Sequence, residues 1–213
     1  GPPSKALPWA TAPATLDGTL LGDNGFDPLG FSLNKNDWFA FEGLSGIRWM
    51  REAELVHGRI AQLAALGFVW PGLIGTFPST PGLGLDAFAE TNPLQVWGHV
   101  PALSGLQILS FMIWIEVKRL NIIKEEGNKY MLGDLKLGQG EGRWNPFSFA
   151  FSPEAYEIKQ RQELEHCRVA MVGVLGLYLQ AKISGMGIVE QLSSSFASPE
   201  YAAKAGYFLP EGI

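Results

Sequence analysis

The sequence predicts an all-α membrane protein with three transmembrane helices. Three observations support this fold class: three apolar stretches, an uneven distribution of positive charge between them, and a repeat shared by the first and third stretches. The chain has 213 residues, which suits one domain, so we expect a single bundle over residues 1–213. Charged residues make up 17% of the sequence, a low share for a soluble protein.

The three apolar stretches lie at about residues 60–75, 100–115 and 169–181. Each is shorter than the roughly 20 residues that a membrane-spanning helix needs. Taken alone, they could be the core helices of a soluble bundle. Each stretch reaches spanning length when it includes the charged residues at one of its ends. We therefore predict helices at about 44–75, 99–124 and 153–184, followed by a tail at 185–213 that contains a short amphipathic helix.

Positive charge alternates between the segments that connect the three stretches. Residues 76–98 contain no Lys or Arg, whereas residues 120–162 contain six. The positive-inside rule predicts such alternation for three spans, with the N-terminus and the second connection on the same side of the membrane. The formal net charge of −5 argues against nucleic acid as a partner.

The start of the chain, GPPSKALPWA, has no charged segment followed by an apolar one, so we predict no secretory signal. It also lacks a Met. An engineered start and a mature form without its targeting peptide are both compatible with this sequence. The single cysteine, Cys167, rules out an internal disulfide framework and a cysteine-rich metal site.

A repeat links the first and third stretches. REAELVHGRIAQLAALG at 51–67 aligns without gaps with QRQELEHCRVAMVGVLG at 160–176. Helices one and three of a three-span bundle run parallel, so we expect them to cross as a pair related by a pseudo-twofold axis along the membrane normal. Both copies contain a Glu, a His and an Arg at the same spacing: Glu54, His57 and Arg59 in the first, and Glu163, His166 and Arg168 in the second.

The repeat predicts two ion pairs between the first and third helices. The pseudo-twofold arrangement brings Glu54 to Arg168. It equally brings Glu163 to Arg59. A charge within a membrane costs about 2.5–3.5 kcal/mol, so pairing is favoured there, and a planar guanidinium suits a carboxylate well. The alternative is that each charge lies separately in the solvated head-group region.

The Glu-x-x-His motif of each copy has two interpretations. The first is a di-metal carboxylate site, in which such motifs from two helices combine with carboxylates from two more. Glu116 could supply one carboxylate, but a fourth helix with an inward Glu is not evident. The second is that each side chain is a single axial ligand to a magnesium ion in a macrocycle, because Mg²⁺ accepts oxygen and nitrogen donors.

Other polar side chains in the predicted helices suit the second interpretation. Gln180 lies about four turns after the second repeated His, on a similar helical face. Glu116 can bind a metal while Arg119, three residues later, neutralises its charge. Gln107 and His99 are weaker candidates, and His99 is expected at the membrane interface.

Several segments resemble a known family. EAELVHGRIAQLA and ELEHCRVAM resemble the two signature helices of the chlorophyll a/b and a/c light-harvesting family, and GFDPLGF resembles its N-terminal loop. The opening SKALPWATAPATLDGTLLGDNGFDPLGFS most resembles the red-lineage branch. The resemblance implies a light-harvesting antenna without catalytic activity. It also implies an integral protein of the plastid thylakoid membrane with its N-terminus on the stromal side.

The resemblance further implies the pigments and the residues that hold them. Chlorophyll a, with chlorophyll c as a further candidate, and xanthophyll carotenoids are the expected cofactors. The implied magnesium ligands are Glu54, His57, Glu116, Glu163, His166 and Gln180, with Gln107 as a weaker seventh. Two loops would contact the ends of two carotenoids through Phe26, Asp27, Pro28 and Leu29 in one, and Asn145 and Pro146 in the other.

Members of the red-lineage branch often serve photosystem I. The expected partners are therefore a photosystem core, with photosystem I favoured, neighbouring antenna subunits and thylakoid lipids. Two other classes stay open: a photoprotective relative that quenches excitation, and a membrane di-iron carboxylate oxidase. Visible absorption separates the oxidase from the other two, and excited-state lifetimes separate the quencher from the antenna.

Overall fold

The computed structural model describes residues 3–33, 41, 44, 46–75 and 90–197. Within this part of the chain the fold is mostly helical, with five α-helices. They are α1 (Gly46–Leu73), α2 (Pro93–Val96), α3 (Ala102–Glu126), α4 (Pro153–Ser184) and α5 (Ile188–Ala197). The long helices α1, α3 and α4 occupy the regions of the three predicted helices, and α5 lies in the predicted tail.

Local contacts explain where α1 begins and where α3 ends. α1 begins at Gly46 rather than at residue 44, because the Leu44 N–H donates to the Phe41 carbonyl over 2.8 Å in a turn before the helix. α3 begins directly after Pro101. It is followed by Gly127, whose φ of +51° is a left-handed conformation that stops helices.

One helix of the described residues, α4, is long and apolar enough to cross a membrane, and 11% of its apolar window is buried. Since a helix in a soluble core would be mostly buried, the exposure of α4 favours an apolar environment. The structure thus offers one candidate span where the sequence predicts three. α1 carries His57 and Arg59 directly before its apolar stretch at about residues 60–75 and Gln62 within it, and these polar residues lower its hydropathy.

Large apolar side chains are exposed along α3 and α4. On α3, Phe111 and Trp114 are 60% and 59% exposed. On α4, Val169 and Val172 are 73% and 75% exposed. Extended apolar faces mark surfaces that contact lipid, ligand or protein rather than water.

The chain divides into two compact units. Unit 1 comprises Gly1–Ile60 and Ser110–Val169, and unit 2 comprises Ala61–Leu109 and Ala170–Ile213. α1, α3 and α4 each contribute a segment to both units. Unit 1 also contains the N-terminal segment and the connection between α3 and α4, whereas unit 2 contains α2 and α5.

Unit 1 contains a buried apolar cluster and a close contact between helices. Ile122, Ile123 and Tyr130 belong to the cluster. Where α1 meets α4, a Cβ added to Gly58 would lie 2.2 Å from the Cβ of Cys167. Only glycine fits on α1 at this point, so the absence of a side chain sets the distance between the two helices.

Unit 2 is packed in a similar way, and its buried residues in the described part of the chain carry no charge. Phe68, Ala181 and Ile188 form its buried apolar cluster. A Cβ added to Gly72 on α1 would lie 2.5 Å from the Cβ of Val189 on α5. The short helix α5 therefore lies directly against a glycine of α1.

Candidate functional site

Two arginines connect α1 and α4 of unit 1 through equivalent contacts. Arg59 on α1 places its Nε 2.7 Å from Oε1 of Glu163 on α4. Arg168 on α4 places its Nε 2.8 Å from Oε1 of Glu54 on α1. The structure therefore brings together the Glu and Arg side chains that the repeat matches. The two ion pairs neutralise four charges at the contact between the helices.

Each of these arginines also binds a loop carbonyl. Nη1 of Arg59 donates to the Gly133 carbonyl over 2.7 Å, and Nη1 of Arg168 donates to the Gly22 carbonyl over 3.0 Å. Gly22 and Gly133 have φ values of +70° and +77°, and an added Cβ would lie 2.6 and 2.9 Å from neighbouring side chains. The left-handed backbone favours glycine at both positions, and each guanidinium holds one loop against the helix pair.

Glu54 has a second cationic partner that the sequence analysis missed. Nε of Arg51 lies 2.8 Å from Oε2 of Glu54, and Nη1 of Arg51 donates to the Leu21 carbonyl. Each oxygen of Glu54 therefore contacts a guanidinium group. In the repeat alignment Gln160 stands opposite Arg51, so a search for matching residues does not find this contact.

The two repeated histidines hold their rings in the same way. Nδ1 of His57 lies 2.7 Å from the Ala53 carbonyl, and Nδ1 of His166 lies 2.7 Å from the Gln162 carbonyl. A carbonyl oxygen can only accept a hydrogen bond, so Nδ1 is the donor in each contact and Nε2 is the nitrogen that remains for a metal. Both residues are exposed, so each offers one nitrogen donor to a metal outside the helix.

Apolar side chains lie one turn after both histidines. Ile60 and Val169 are 52% and 73% exposed. A single nitrogen donor beside exposed apolar surface suits a metal that is carried by a large hydrophobic ring, as magnesium is in a chlorophyll. The donor chemistry of these two positions therefore fits that cofactor.

Metal donors do not converge in the described ranges of the chain. No group of three or more His, Cys, Asp or Glu side chains that could hold one metal ion occurs there. The two Glu-x-x-His motifs are consequently separate donors, and these ranges do not contain the donor set of a di-iron site.

Glu116 on α3 forms the expected pair with Arg119. The guanidinium spans both oxygens of the carboxylate, with Nε 3.1 Å from Oε2 and Nη2 in contact with Oε1. The Glu116 side chain is 46% exposed, whereas that of Arg119 is 9% exposed. The carboxylate therefore faces outward with the arginine behind it.

Glu52 is a fully buried carboxylate that the sequence analysis did not identify. It accepts hydrogen bonds from Nη1 of Arg119 over 3.1 Å, from the Tyr130 hydroxyl over 3.1 Å and from the Gly133 N–H over 2.6 Å. Burial and the charge of Glu52 raise the pKa of Tyr130, so the hydroxyl stays protonated as a donor. In the repeat, Arg161 stands opposite Glu52.

The remaining predicted donors belong to unit 2. Gln107 on α3 and Gln180 on α4 are exposed. His99, which precedes α3, is exposed too, and its Nδ1 lies 3.2 Å from the Gln95 carbonyl. Each of the three is available as a single outward donor.

The loop that contains Phe26, Pro28 and Leu29 is organised by Asp27. This carboxylate accepts hydrogen bonds from the Phe31 N–H over 2.9 Å, the Ser32 N–H over 2.8 Å and the Ser32 hydroxyl over 2.5 Å. Desolvation opposes ionisation, but these hydrogen bonds outweigh it and lower the pKa of Asp27 below its usual value. Leu29 is 76% exposed, so the loop turns an apolar side chain outward.

The second predicted loop is closed by Asn145. Its Nδ2 donates to the Phe149 carbonyl over 2.7 Å, and its Oδ1 accepts from the Phe149 N–H over 3.0 Å. Pro146 and Phe147 lie inside this turn and are exposed, and the rings of Phe147 and Phe149 are 5.7 Å apart. Both loops thus combine a polar closure with outward apolar side chains.

A cavity of about 610 Å³ lies beside Glu163 in unit 1. Its lining includes Arg59, Tyr156 and Lys159 together with several leucines. A wall of this mixed kind suits an amphiphilic ligand with a large apolar body and a few polar groups. The paired helices, outward histidines and apolar loops together define a scaffold for such ligands.

Comparison with known proteins identifies the family. The family model described as "Chlorophyll A-B binding protein" matches residues 12–182. Chlorophyll a-b binding protein 4, chloroplastic, from Arabidopsis thaliana is 30% identical over 201 residues, which cover 91% of this chain and 73% of that protein. The photosystem I chlorophyll a/b-binding protein 3-1, chloroplastic, of the same plant is 29% identical over an alignment that covers 86% of this chain and 72% of that protein. A chlorophyll a-b binding protein from Prasiola crispa is 32% identical over an alignment that covers 89% of this chain and 59% of that protein.

The chain therefore belongs to the chlorophyll a-b binding protein family. The matched range includes the two ion pairs, the repeated histidines and both apolar loops. Its relatives are named for the pigment that they bind and for their place in the chloroplast.

Proposed function

We propose that this protein is a light-harvesting antenna that binds chlorophylls and passes their excitation to a photosystem core. The observation that carries the proposal is the matched pair of outward histidines, each with Nδ1 on a helix carbonyl and Nε2 available. When bound, the pigments supply light absorption and the transfer of excitation. The protein supplies fixed positions, since the transfer depends on separation and orientation.

The proposed magnesium ligands follow the geometry of the site. His57 and His166 present neutral nitrogen donors beside apolar surface. Glu54 and Glu163 present carboxylates that pair with arginines of the opposite helix, and Glu116 presents a carboxylate that pairs with Arg119 within α3. Gln180 and Gln107 are the proposed donors in unit 2.

We further propose that α1, α3 and α4 all cross the membrane as one light-harvesting domain, with α1 and α4 related by a pseudo-twofold axis. The equivalent contacts of Arg59 and Arg168 support this arrangement. Neutralised charges also make the polar stretch of α1 compatible with a membrane. The N-terminal segment and the α3–α4 connection, which both carry Lys or Arg, then face the stroma.

The proposed function also includes particular pigments and protein partners. Chlorophyll a is the main pigment, with chlorophyll c as the accessory candidate suggested by the red-lineage resemblance. The loops at Asp27 and Asn145 are proposed to contact xanthophylls, because both turn apolar side chains outward. The partners are photosystem I, neighbouring antenna subunits and thylakoid lipids, and relatives named for photosystem I support that choice.

Reconstitution with extracted pigments tests the function. The chain is refolded in detergent with chlorophyll and carotenoid, and we expect red-region absorption and a fixed pigment ratio. His166→Ala should lose about one chlorophyll per chain and keep its helices. Glu165→Ala, an exposed neighbour, is the matched control and should lose none. A refolded protein that retains no chlorophyll would contradict the proposal, and a strongly shortened excited-state lifetime would favour a quencher.

A further inference from the structure

Arg119 is shared by an exposed and a buried carboxylate. It spans the outward Glu116 through Nε and Nη2, and it contacts the buried Glu52 through Nη1 over 3.1 Å. The guanidinium carbon also lies 5.6 Å from the centre of the Trp49 ring. Glu52 and Trp49 both belong to α1, so α1 fixes the orientation in which the guanidinium meets Glu116 on α3.

Glu52 is itself held rigidly. Its second oxygen accepts the Gly133 N–H over 2.6 Å, and the Tyr130 hydroxyl shares the first oxygen with Arg119. No buried side-chain oxygen or nitrogen among the described residues lacks a hydrogen-bond partner, so this network is complete. A buried ion pair is weak evidence for stability, because apolar replacements are often as stable. Its complete satisfaction points to a role in orientation instead.

We propose that Glu52 is a positioning residue for the chlorophyll at Glu116, which it influences through Arg119. This inference rests on the proposed function, which makes Glu116 a magnesium ligand. Hydrogen-bonded partners behind a ligand fix its direction and tune its basicity. Two carboxylates share one guanidinium here, giving −2 and +1, a net charge of −1. The negative charge of Glu116 is therefore offset less completely than it would be in an isolated pair with Arg119.

The test compares five proteins that are refolded with chlorophyll and carotenoid: the wild type, Glu52→Gln, Glu116→Ala, the double variant and Glu125→Gln. Glutamine keeps the shape of Glu52 and removes its charge. Glu125 is the control, because its side chain is 69% exposed and forms a long surface ion pair, with 3.7 Å between its Oε2 and Nζ of Lys136. Pigment ratio and low-temperature absorption difference spectra are measured for each protein.

We expect Glu116→Ala to lose about one chlorophyll and to remove one absorption band. Glu52→Gln should shift that band and leave the others in place. In the Glu116→Ala background, Glu52→Gln should cause no further shift, because the affected pigment is absent. Glu125→Gln should match the wild type. A Glu52→Gln difference spectrum that persists without Glu116, or that spreads over all bands, would overturn the inference.

A milder variant decides the case in which Glu52→Gln does not fold. Tyr130→Phe removes one hydrogen bond from Glu52 and leaves its charge. A small shift confined to the band of the Glu116 pigment supports the inference, and an unchanged band overturns it. Failure of the proposed function looks different, since the wild type itself would then bind no chlorophyll.

Discussion

The two units contain the same pair of long helices, but they hold them by different means. In unit 1, Arg59 and Arg168 pair with carboxylates of the opposite helix and reach loop carbonyls. In the described part of unit 2, apolar side chains join α1 to its neighbours, since Phe68 shares a cluster with Ala181 and Gly72 lies against Val189. Each unit is compact, so charge pairing is not required for close packing as such.

The two kinds of contact differ in how strongly they fix the orientation of a helix. A guanidinium that donates to a carboxylate and a carbonyl fixes both the rotation of a helix and the position of a loop. Apolar contacts stabilise in proportion to buried area and have no preferred direction. We therefore expect substitutions in unit 1 to disturb pigment geometry strongly, and those in unit 2 to have smaller effects.

The largest effect is expected for Glu163→Ala. It leaves the Arg59 guanidinium with the Gly133 carbonyl but without its carboxylate, and an unpaired charge within a membrane costs about 2.5–3.5 kcal/mol. Thermal denaturation and pigment ratio of the refolded variant are the measurements. Glu165→Ala, which removes an exposed carboxylate one residue before His166, is the control. The denaturation midpoint of Glu163→Ala should fall further than that of His166→Ala. Equal midpoints for these two variants would refute the role of the Arg59–Glu163 ion pair in stability.

A smaller but clear effect is expected for Gly58→Ala. The added methyl group would meet Cβ of Cys167 at 2.2 Å, and overpacking of this kind costs about 1–3 kcal/mol. Cys167→Gly should restore much of the stability in the double variant, because it makes room on the other helix. Denaturation midpoints of the four proteins in this cycle are compared. Strict additivity of the two single effects would count against a direct contact.

In unit 2, Gly72→Ala should cost about 1 kcal/mol, less than Gly58→Ala. Its Cβ would lie 2.5 Å from Val189, but α5 is a short helix that can move aside. Gly105→Ala is the matched control, since a Cβ there meets nothing within 4 Å and alanine favours helix. Proteolysis near α5 and the denaturation midpoint are measured. A Gly72 variant that is as stable as the control would show that α5 does not restrain α1.

The smallest effect concerns the pH dependence of the Asp27 loop. Because the folded pKa of Asp27 is lowered, the carboxylate stabilises the loop above the unfolded pKa of about 3.9, and this is lost as pH falls through the lower folded value. Hydrogen exchange of the Phe31 and Ser32 amides should therefore show protection through pH 5 that disappears in stronger acid. Asp27→Asn should exchange faster at every pH above the transition. Unaltered protection in that variant would contradict the assignment.

The regions of α1, α3 and α4 follow from apolar patterning and charged ends, although one of these helices is a candidate span where the sequence predicts three, and the repeat indicated which charges could meet. Matching Glu and Arg positions in two parallel helices allow few pairings, so Glu54 and Arg168 could be assigned without coordinates. The start of α1 and the end of α3 depend on local conformation at Leu44 and Gly127, which the apolar pattern does not predict.

Glu52 and Arg51 could not be found in the same way. Their counterparts in the second copy are Arg161 and Gln160, so both contacts break the symmetry of the repeat. Burial of Glu52 depends on Arg119 from another helix and on the turn at Tyr130. Such contacts arise from tertiary packing and leave no periodic signal in the sequence.

The arginine contacts also determine when the molecule can assemble. The hydrogen bond from Arg168 to the Gly22 carbonyl joins residues that are 146 positions apart. During synthesis from the N-terminus, the contact of Arg51 with the Leu21 carbonyl can form once α1 is made, but the contact of Arg168 needs α4. The closure of the first loop against α4 is therefore a late event, and it coincides with the pairing of α1 and α4. Pigments that are already present at that moment would be enclosed rather than inserted afterwards.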